Sequence, residues 1–282
     1  MRGARDPSRL IAMECEPMPK TIRSVTRALS VIEALSNACG ALSLNQLHQI
    51  TDLDRATLLR ILGTLMESGW VYRGLGDQNY RLSYQIYELG MHIRPQNSLA
   101  HLATPVMDEL QKKLIWPSDL CICNGSHMEI IETTRRQSPL FNSHGFVGYH
   151  PNMLQSAAGR AYLAWSHPDD QARILRRLKQ GEGTEARLAG DPEWVQTLLQ
   201  TTRDRGYGVR DPHYKGGPDD CDRYEVCVSA IPLIAMGEVQ ACINLIWLKA
   251  FVSQEQLEHE LLPELRQAAN QITELIVEHK LY

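Results

Sequence analysis

"TDLDRATLLRILGTLMESGWVYR", residues 51–73, is the stretch that decides the fold. At about 3.6 residues per turn, Leu58, Leu62, Leu65 and Gly69 share one helix face, with Ile61 beside them. Thr57, Arg60, Thr64 and Glu67 share the opposite face. The apolar face packs on neighbouring helices and the polar face projects outward. Asp54 is the expected N-cap, and Gly69 supplies a left-handed stop. The first turn also carries Arg55, with Arg60 one turn on. Positive charge added at the positive end of a helix dipole calls for an anion.

The flanks say which anion. Upstream, "SVTRALSVIEALS" (24–36) spaces Val25, Leu29, Ile32 and Leu35 as a helix. A second helix starts at Ser43, which forms an S-x-x-Q capping box with Gln46. Downstream, "WVYRG" and "NYRLS" are two short β-prone runs around "LGDQ", a small hairpin. Helix, helix, turn, helix, hairpin over 20–82 is a winged helix-turn-helix order. In that geometry the N-terminal, outward residues of the third helix enter the major groove. Arg55 and Arg60 suit guanine edges or phosphates, and Thr57 a base or a phosphate. Thr64 lies on the same face. Arg73 and Arg81 of the wing, beside Tyr72 and Tyr80, suit the DNA backbone or minor groove. Arg27, with Lys20 and Arg23, adds phosphate contacts. The bland alternative for each arginine is a solvated helix face. The ordered set, with a hairpin directly after the third helix, favours double-stranded operator DNA.

Residues 83–97 are the expected linker: a helix over Ser83–Arg94, ended by "RPQNS". Beyond it, helix and strand mix. A helix over 98–115 is capped by Ser98, and "DLCICNGSHMEIIETT" is a hairpin through Asn124-Gly125. A strand is expected over 139–147, and helices near 155–165 and 168–180. "GEGTEARLAG" is expected as a loop, and Asp191 opens a helix closed by Gly206. "YEVCVSAIPLI" and "EVQACINLIWL" are long strands joined at Met236-Gly237. A second S-x-x-Q box, Ser253 with Gln256, opens a C-terminal helix to about His279. Residues 98–282 are therefore α+β, with helices packed on an antiparallel sheet.

Composition agrees with a protein of one or two ordinary domains. The chain has 282 residues, is 43% hydrophobic and 22% charged, and carries a net charge of −4. That charge is uneven, +2 over residues 1–95 and −6 over the rest, so a polyanion would bind the front. The seven cysteines form no C-x-x-C pair, which points to a reducing cytosol rather than a disulfide scaffold. No apolar run reaches the ~18–20 residues of a spanning helix. Residues 1–19 lack a signal-peptide core and are expected to be a disordered tail, with Met13 and Met18 as alternative starts.

At this point a resemblance becomes visible. "TIRSVTRALSVIEAL", "LSLNQLHQITDLDRATLLRILGTLMESGWVYR" and "YRLS" resemble the N-terminal domain of IclR-type transcriptional regulators. Arg55, Thr57 and Arg60 fall on the family's polar positions. Asp54 stands where a Pro is common and Ala56 where a Ser is common. "QSAAGRAYLAW" and "RGYGVRD…VSAIPLIAMGEVQACINLIWL" resemble the family's C-terminal runs, so the likeness covers about residues 20–280. "WPSDLCI" and "NLIWLKA" further resemble the branch controlling catabolism of aromatic acids such as hydroxyphenylpropionate. What the resemblance implies is a GAF-like effector domain for small, often aromatic, carboxylates. It also implies a homodimer or dimer of dimers, and, in that branch, an activator that contacts RNA polymerase.

The residues suit such a ligand. The 144–154 loop has two glycines that free N–H groups for an anion, and Phe146, Val147, Met153 and Leu154 for a ring. Asp119 with Cys121, Cys227 with Ser229, and Asn244 with Ile246 are pairs two apart on strands, each able to line one wall. In the family, positions matching Val147, Gly148, Cys227, Asn244 and Ile246 lie near ligand. Sheet core is the competing reading for Cys121, Cys227 and Ile246. Asn244, polar in an apolar strand, needs partners. His144, His150, Arg210 and Tyr214 are further candidates around the loop and a lid over 211–225. No His/Cys spacing suits a metal, and no cofactor is expected. A distant alternative is an enzyme using Cys227 or Cys121 as nucleophile with a loop histidine. Nothing supports it beyond residue type, since G-x-S-x-G, P-loop, G-x-G-x-x-G and H-E-x-x-H motifs are all missing. The remaining alternative is a repressor sensing an aliphatic acid.

Overall fold

The structure, a computed structural model, describes residues 20–38, 40–91, 95–138, 146–214 and 225–282. The expected tail 1–19 lies outside them. The chain divides into two compact units, Met1–His92 and Ile93–Tyr282.

In the first unit, α1 (Arg23–Asn37), α2 (Leu44–Thr51) and α3 (Arg55–Glu67) precede a hairpin of β1 (Val71–Arg73) and β2 (Tyr80–Leu82). α4 (Tyr84–Met91) follows. Ser43 and Gln46 form a full capping box on α2. Asp52, at φ 54°, ends α2 in the left-handed region, and His48 Nδ1 lies 2.7 Å from the Leu53 carbonyl, which sets the turn. Asp54 caps α3. α3 ends in a Schellman pair, Gly69 N–H to the Met66 carbonyl and Trp70 N–H to Leu65, with Gly69 at φ +78°. Val31, Leu35, Leu47, Leu58 and Leu62 make the core between the three helices. The wing is tied to that core by a two-way backbone bridge between Leu42 and Tyr80.

The second unit begins with α5 (Pro95–Leu114), then β3 (Ser118–Asn124) and β4 (His127–Thr133). α6 (Ala157–Trp165), α7 (Pro168–Lys179), α8 (Gly183–Ala189) and α9 (Pro192–Arg205) follow. β5 (Gly208–Val209), β6 (Val226–Ala235) and β7 (Glu238–Leu248) complete an antiparallel sheet of order β4-β3-β7-β6-β5. α10 (Gln254–Gln256) runs through a π-helical turn, Leu257–Leu261, into α11 (Leu262–Glu278). The widened turn precedes Pro263, whose ring and missing N–H disturb the regular ladder. Met236 and Gly237, both at positive φ, make the tight turn between β6 and β7.

Two expectations are corrected, and a third can be read only at its end. Ser98 does not cap a helix, because it lies inside α5 (Pro95–Leu114). "GEGTEARLAG" holds the short helix α8 rather than a loop, anchored where Glu185 Oε1 accepts the Leu154 N–H at 2.7 Å. Of the expected strand over 139–147, residues 139–145 lie outside the described residues; Phe146 is in no strand and Val147-Gly148 form a turn.

Two glycines set how closely α6 lies on its neighbours. A Cβ on Gly159 would collide with the Met153 backbone, and one on Gly208 with the backbone of Ala157 and Ala161. Arg160 reinforces the junction, donating to the carbonyls of Leu154 and Val209 and pairing with Asp211 at 2.6 Å. This fixes the N-terminus of α6 against the segment that follows β5.

Candidate DNA-reading surface and effector cavity

Arg27 of α1 and Thr57, Arg60 and Thr64 of α3 line one surface groove, so the fold gathers four residues of the expected reading surface. Arg55 is exposed on the first turn of α3. At the cap, Asp54 Oδ1 accepts the Thr57 N–H at 2.8 Å and Oδ2 accepts the Thr57 hydroxyl at 2.6 Å. These bonds, the hydroxyl first, hold the Asp54 carboxyl below its ordinary range. The wing arginines have internal work. Arg81 forms a two-pronged pair with Asp77, at 3.0 and 2.6 Å, across the turn. Arg73 donates to the Gln78 carbonyl at 2.8 Å and lies 5.4 Å from the centre of the Tyr80 ring. Both brace the hairpin.

In the second unit a cavity of about 50 Å³ opens beside the sheet. Asp119 of β3, Asn244 of β7 and Val226 and Val228 of β6 form its floor; Ser156 to Ala158 bring in the N-terminal end of α6. Phe146, Tyr149 and Tyr214 supply aromatic walls, and Arg135 and Arg210 the cationic ones. Asp119 is 1% exposed. Its Oδ1 accepts from Arg135 Nε at 2.9 Å and from the Thr133 hydroxyl at 2.8 Å. Its Oδ2 accepts from Arg135 Nη2 at 2.9 Å and from the Asn244 amide at 3.2 Å. Asn244 Oδ1 accepts the Asp119 N–H at 2.8 Å, so the amide's partners are the floor itself. The Arg135 guanidinium stacks 4.0 Å from the centre of the Phe146 ring. Arg210 donates to the Tyr214 carbonyl at 2.6 Å, and burial raises the Tyr214 phenol pKa.

The remaining expected effector residues are placed elsewhere. Because Val226 and Val228 line the cavity, Cys227 and Ser229 face the other side of the sheet. Cys121 and Ile246 are fully buried and are not brought to the cavity. Met153 and Leu154 are core. Val147 is 58% exposed. The Gly148 N–H is spent on the Ile130 carbonyl at 2.8 Å, which removes it as an anion donor. His144 lies outside the described residues, and the His150 ring packs 4.2 Å from that of His127. Burial raises the thiol pKa of both Cys121 and Cys227, the reverse of what a nucleophile needs. Among the described residues no group of three or more His, Cys, Asp or Glu could hold a metal ion, and no helix is long and apolar enough to cross a membrane.

Comparison with known proteins agrees with both halves. Residues 24–74 match the IclR helix-turn-helix domain, and residues 92–274 match the bacterial transcriptional regulator IclR C-terminal domain. The chain belongs to the IclR family of transcriptional regulators. It is similar to the DNA-binding transcriptional repressor YiaJ of Escherichia coli K12, at 25% identity over 54% of each chain. The match thus spans about half of that protein. It is also similar to the Pca regulon regulatory protein of Pseudomonas putida, at 25% identity over 90% of this chain and 84% of that one. The fold is shared with an IclR-family regulator of Brucella abortus, at 20% identity and a TM-score of 0.51, covering 91% of this chain and 93% of that one.

As an IclR-type protein it is a DNA-binding transcriptional regulator with an N-terminal reading head and a C-terminal effector domain. Arg135 and Tyr149 are cavity residues that the sequence reading did not name. The only signal for Arg135 was its place just after a strand that pairs with Asp119, which required the β3–β4 register to see.

Proposed function

We propose that this is a cytoplasmic activator of a catabolic operon, governed by a small aromatic carboxylate. In this reading Arg27, Arg55, Thr57, Arg60 and Thr64 meet operator DNA, and the wing follows the backbone. Two heads of a homodimer, or of a dimer of dimers, read a palindrome-like operator. The helix after the wing connects each head to its effector domain. Ligand binding shifts the placement of the heads, and with it operator affinity or contact with RNA polymerase. Asp119, Phe146 and Asn244, with the further candidates Arg210 and Tyr214, are the expected effector residues that line the cavity.

The observation that carries the aromatic reading is the lining: three aromatic rings beside the Arg210 guanidinium and the Arg135–Asp119 ion pair. That combination suits a ring bearing a carboxylate. One observation favours a second reading, a repressor sensing an aliphatic acid. The cavity holds about 50 Å³, whereas a dry cavity of about 150 Å³ takes benzene. A ring would therefore have to open the site, while a short aliphatic acid would need less room. A thermal-shift screen of aromatic and aliphatic acids decides between them, followed by transcription from the bound operator with the hit. An aromatic acid at about a hundredfold its Kd should raise Tm by roughly 5–10 °C and increase transcription. A screen in which only aliphatic acids act, or a hit that lowers transcription, replaces this reading with the second.

A further inference from the structure

The first turn of α3 carries a hydrogen-bonding polarity that its arginines conceal. Thr57 has one hydroxyl proton, and it is donated to Asp54 Oδ2 at 2.6 Å. The Thr57 N–H is likewise committed to Oδ1 at 2.8 Å. What remains on this pair is acceptor capacity only: lone pairs on the Thr57 oxygen and on both carboxylate oxygens. Asp54 is exposed, and it stands at the head of the helix whose groove collects Arg27, Arg60 and Thr64.

Phosphate oxygens are acceptors, so this pair cannot donate to the DNA backbone, and the charge of Asp54 repels it. Base edges differ. In the major groove guanine shows only acceptors and thymine an acceptor and a methyl group. Adenine shows an amino donor with an acceptor beside it, and cytosine shows an amino donor alone. A carboxylate held at the groove therefore matches cytosine N4 best and is penalised by guanine. We propose that the Asp54–Thr57 pair is a specificity determinant that selects a cytosine at one position of each operator half-site. The inference rests on the reading of α3 as the helix that enters the major groove. It assigns to Thr57 the role of orienting Asp54 rather than of holding a phosphate.

The test is selection from a randomised double-stranded DNA library with the full-length protein, its Asp54→Asn variant and its Thr57→Val variant. Asn caps a helix as well as Asp does, so the Tm of Asp54→Asn should match wild type. Wild type should prefer cytosine at one position per half-site by on the order of tenfold, and Asp54→Asn should flatten that position alone. Thr57→Val, which removes the hydroxyl that holds Asp54 Oδ2, should weaken the cytosine preference at that position and leave the salt dependence of binding unchanged. An unaltered base profile in Asp54→Asn overturns the proposal while leaving the reading of α3 intact. So does a uniform loss of affinity in Thr57→Val with the salt slope reduced by about one, since that is the mark of a lost phosphate contact. If wild type enriches no sequence, the proposal falls together with the reading beneath it.

Discussion

Asp119 and Arg135 show how one pair of residues shapes the cavity beside the sheet. The carboxylate is 1% exposed and takes two bonds from the guanidinium, one from Thr133 and one from Asn244. Removing one member of a buried pair strands the other charge, at a cost of about 3–5 kcal/mol. Asp119→Ala should therefore lower the stability of the effector unit by that amount in urea titration, whereas Asn244→Ala, which removes a neutral partner, should cost less. Equal losses would show that the pair is not the anchor. At the other end of the chain, Arg60 is exposed and lies in the groove with Arg27 and Thr64. Arg60→Ala should weaken operator binding by roughly 5- to 100-fold with Tm unchanged. An unchanged affinity would remove this face of α3 from the interface.

At the scale of elements, α6 depends on close backbone approach. Gly159→Ala should push α6 away from Met153, cost about 1–3 kcal/mol or more, and weaken ligand binding, because Ser156 to Ala158 line the cavity. Wild-type stability in that variant would mean that α6 can shift freely. The hairpin β3–β4 carries a pH dependence. Burial, and then the neighbouring His150, hold the His127 pKa below its usual 6.5, and Glu129 only partly offsets them. The folded chain resists a proton that the unfolded chain accepts, so stability should fall as pH drops below about 6.5. His127→Gln should flatten the Tm profile between about pH 7 and 5; an unchanged slope would place the titration elsewhere.

Local chemistry made much of this scale legible. Ser43, Asp54, Asp191 and Ser253 cap helices as their sequences imply, because each cap is a contact within four residues. Strand faces were not legible in the same way. β6 and β7 are apolar on both sides, so alternation could not say whether Val226 and Val228 or Cys227 and Ser229 meet the cavity. The short helix α8 was hidden by glycines at and beside its ends, Gly181, Gly183 and Gly190.

For the whole molecule, two compact units and two family domains coincide with a division of labour: reading in front, sensing behind. The mildly basic front set against the acidic remainder fits that division, since a polyanion partner would be drawn to the front. The most direct measurement is fluorescence anisotropy of the full-length protein on the intergenic DNA upstream of its own reading frame, with salt titrated. Binding should be tighter than to scrambled duplex by at least about a thousandfold, and log affinity should fall linearly with log salt, by about 0.9 for each phosphate neutralised. Equal affinity for both duplexes, or no dependence on salt, would contradict the reading of this chain as an operator-binding regulator.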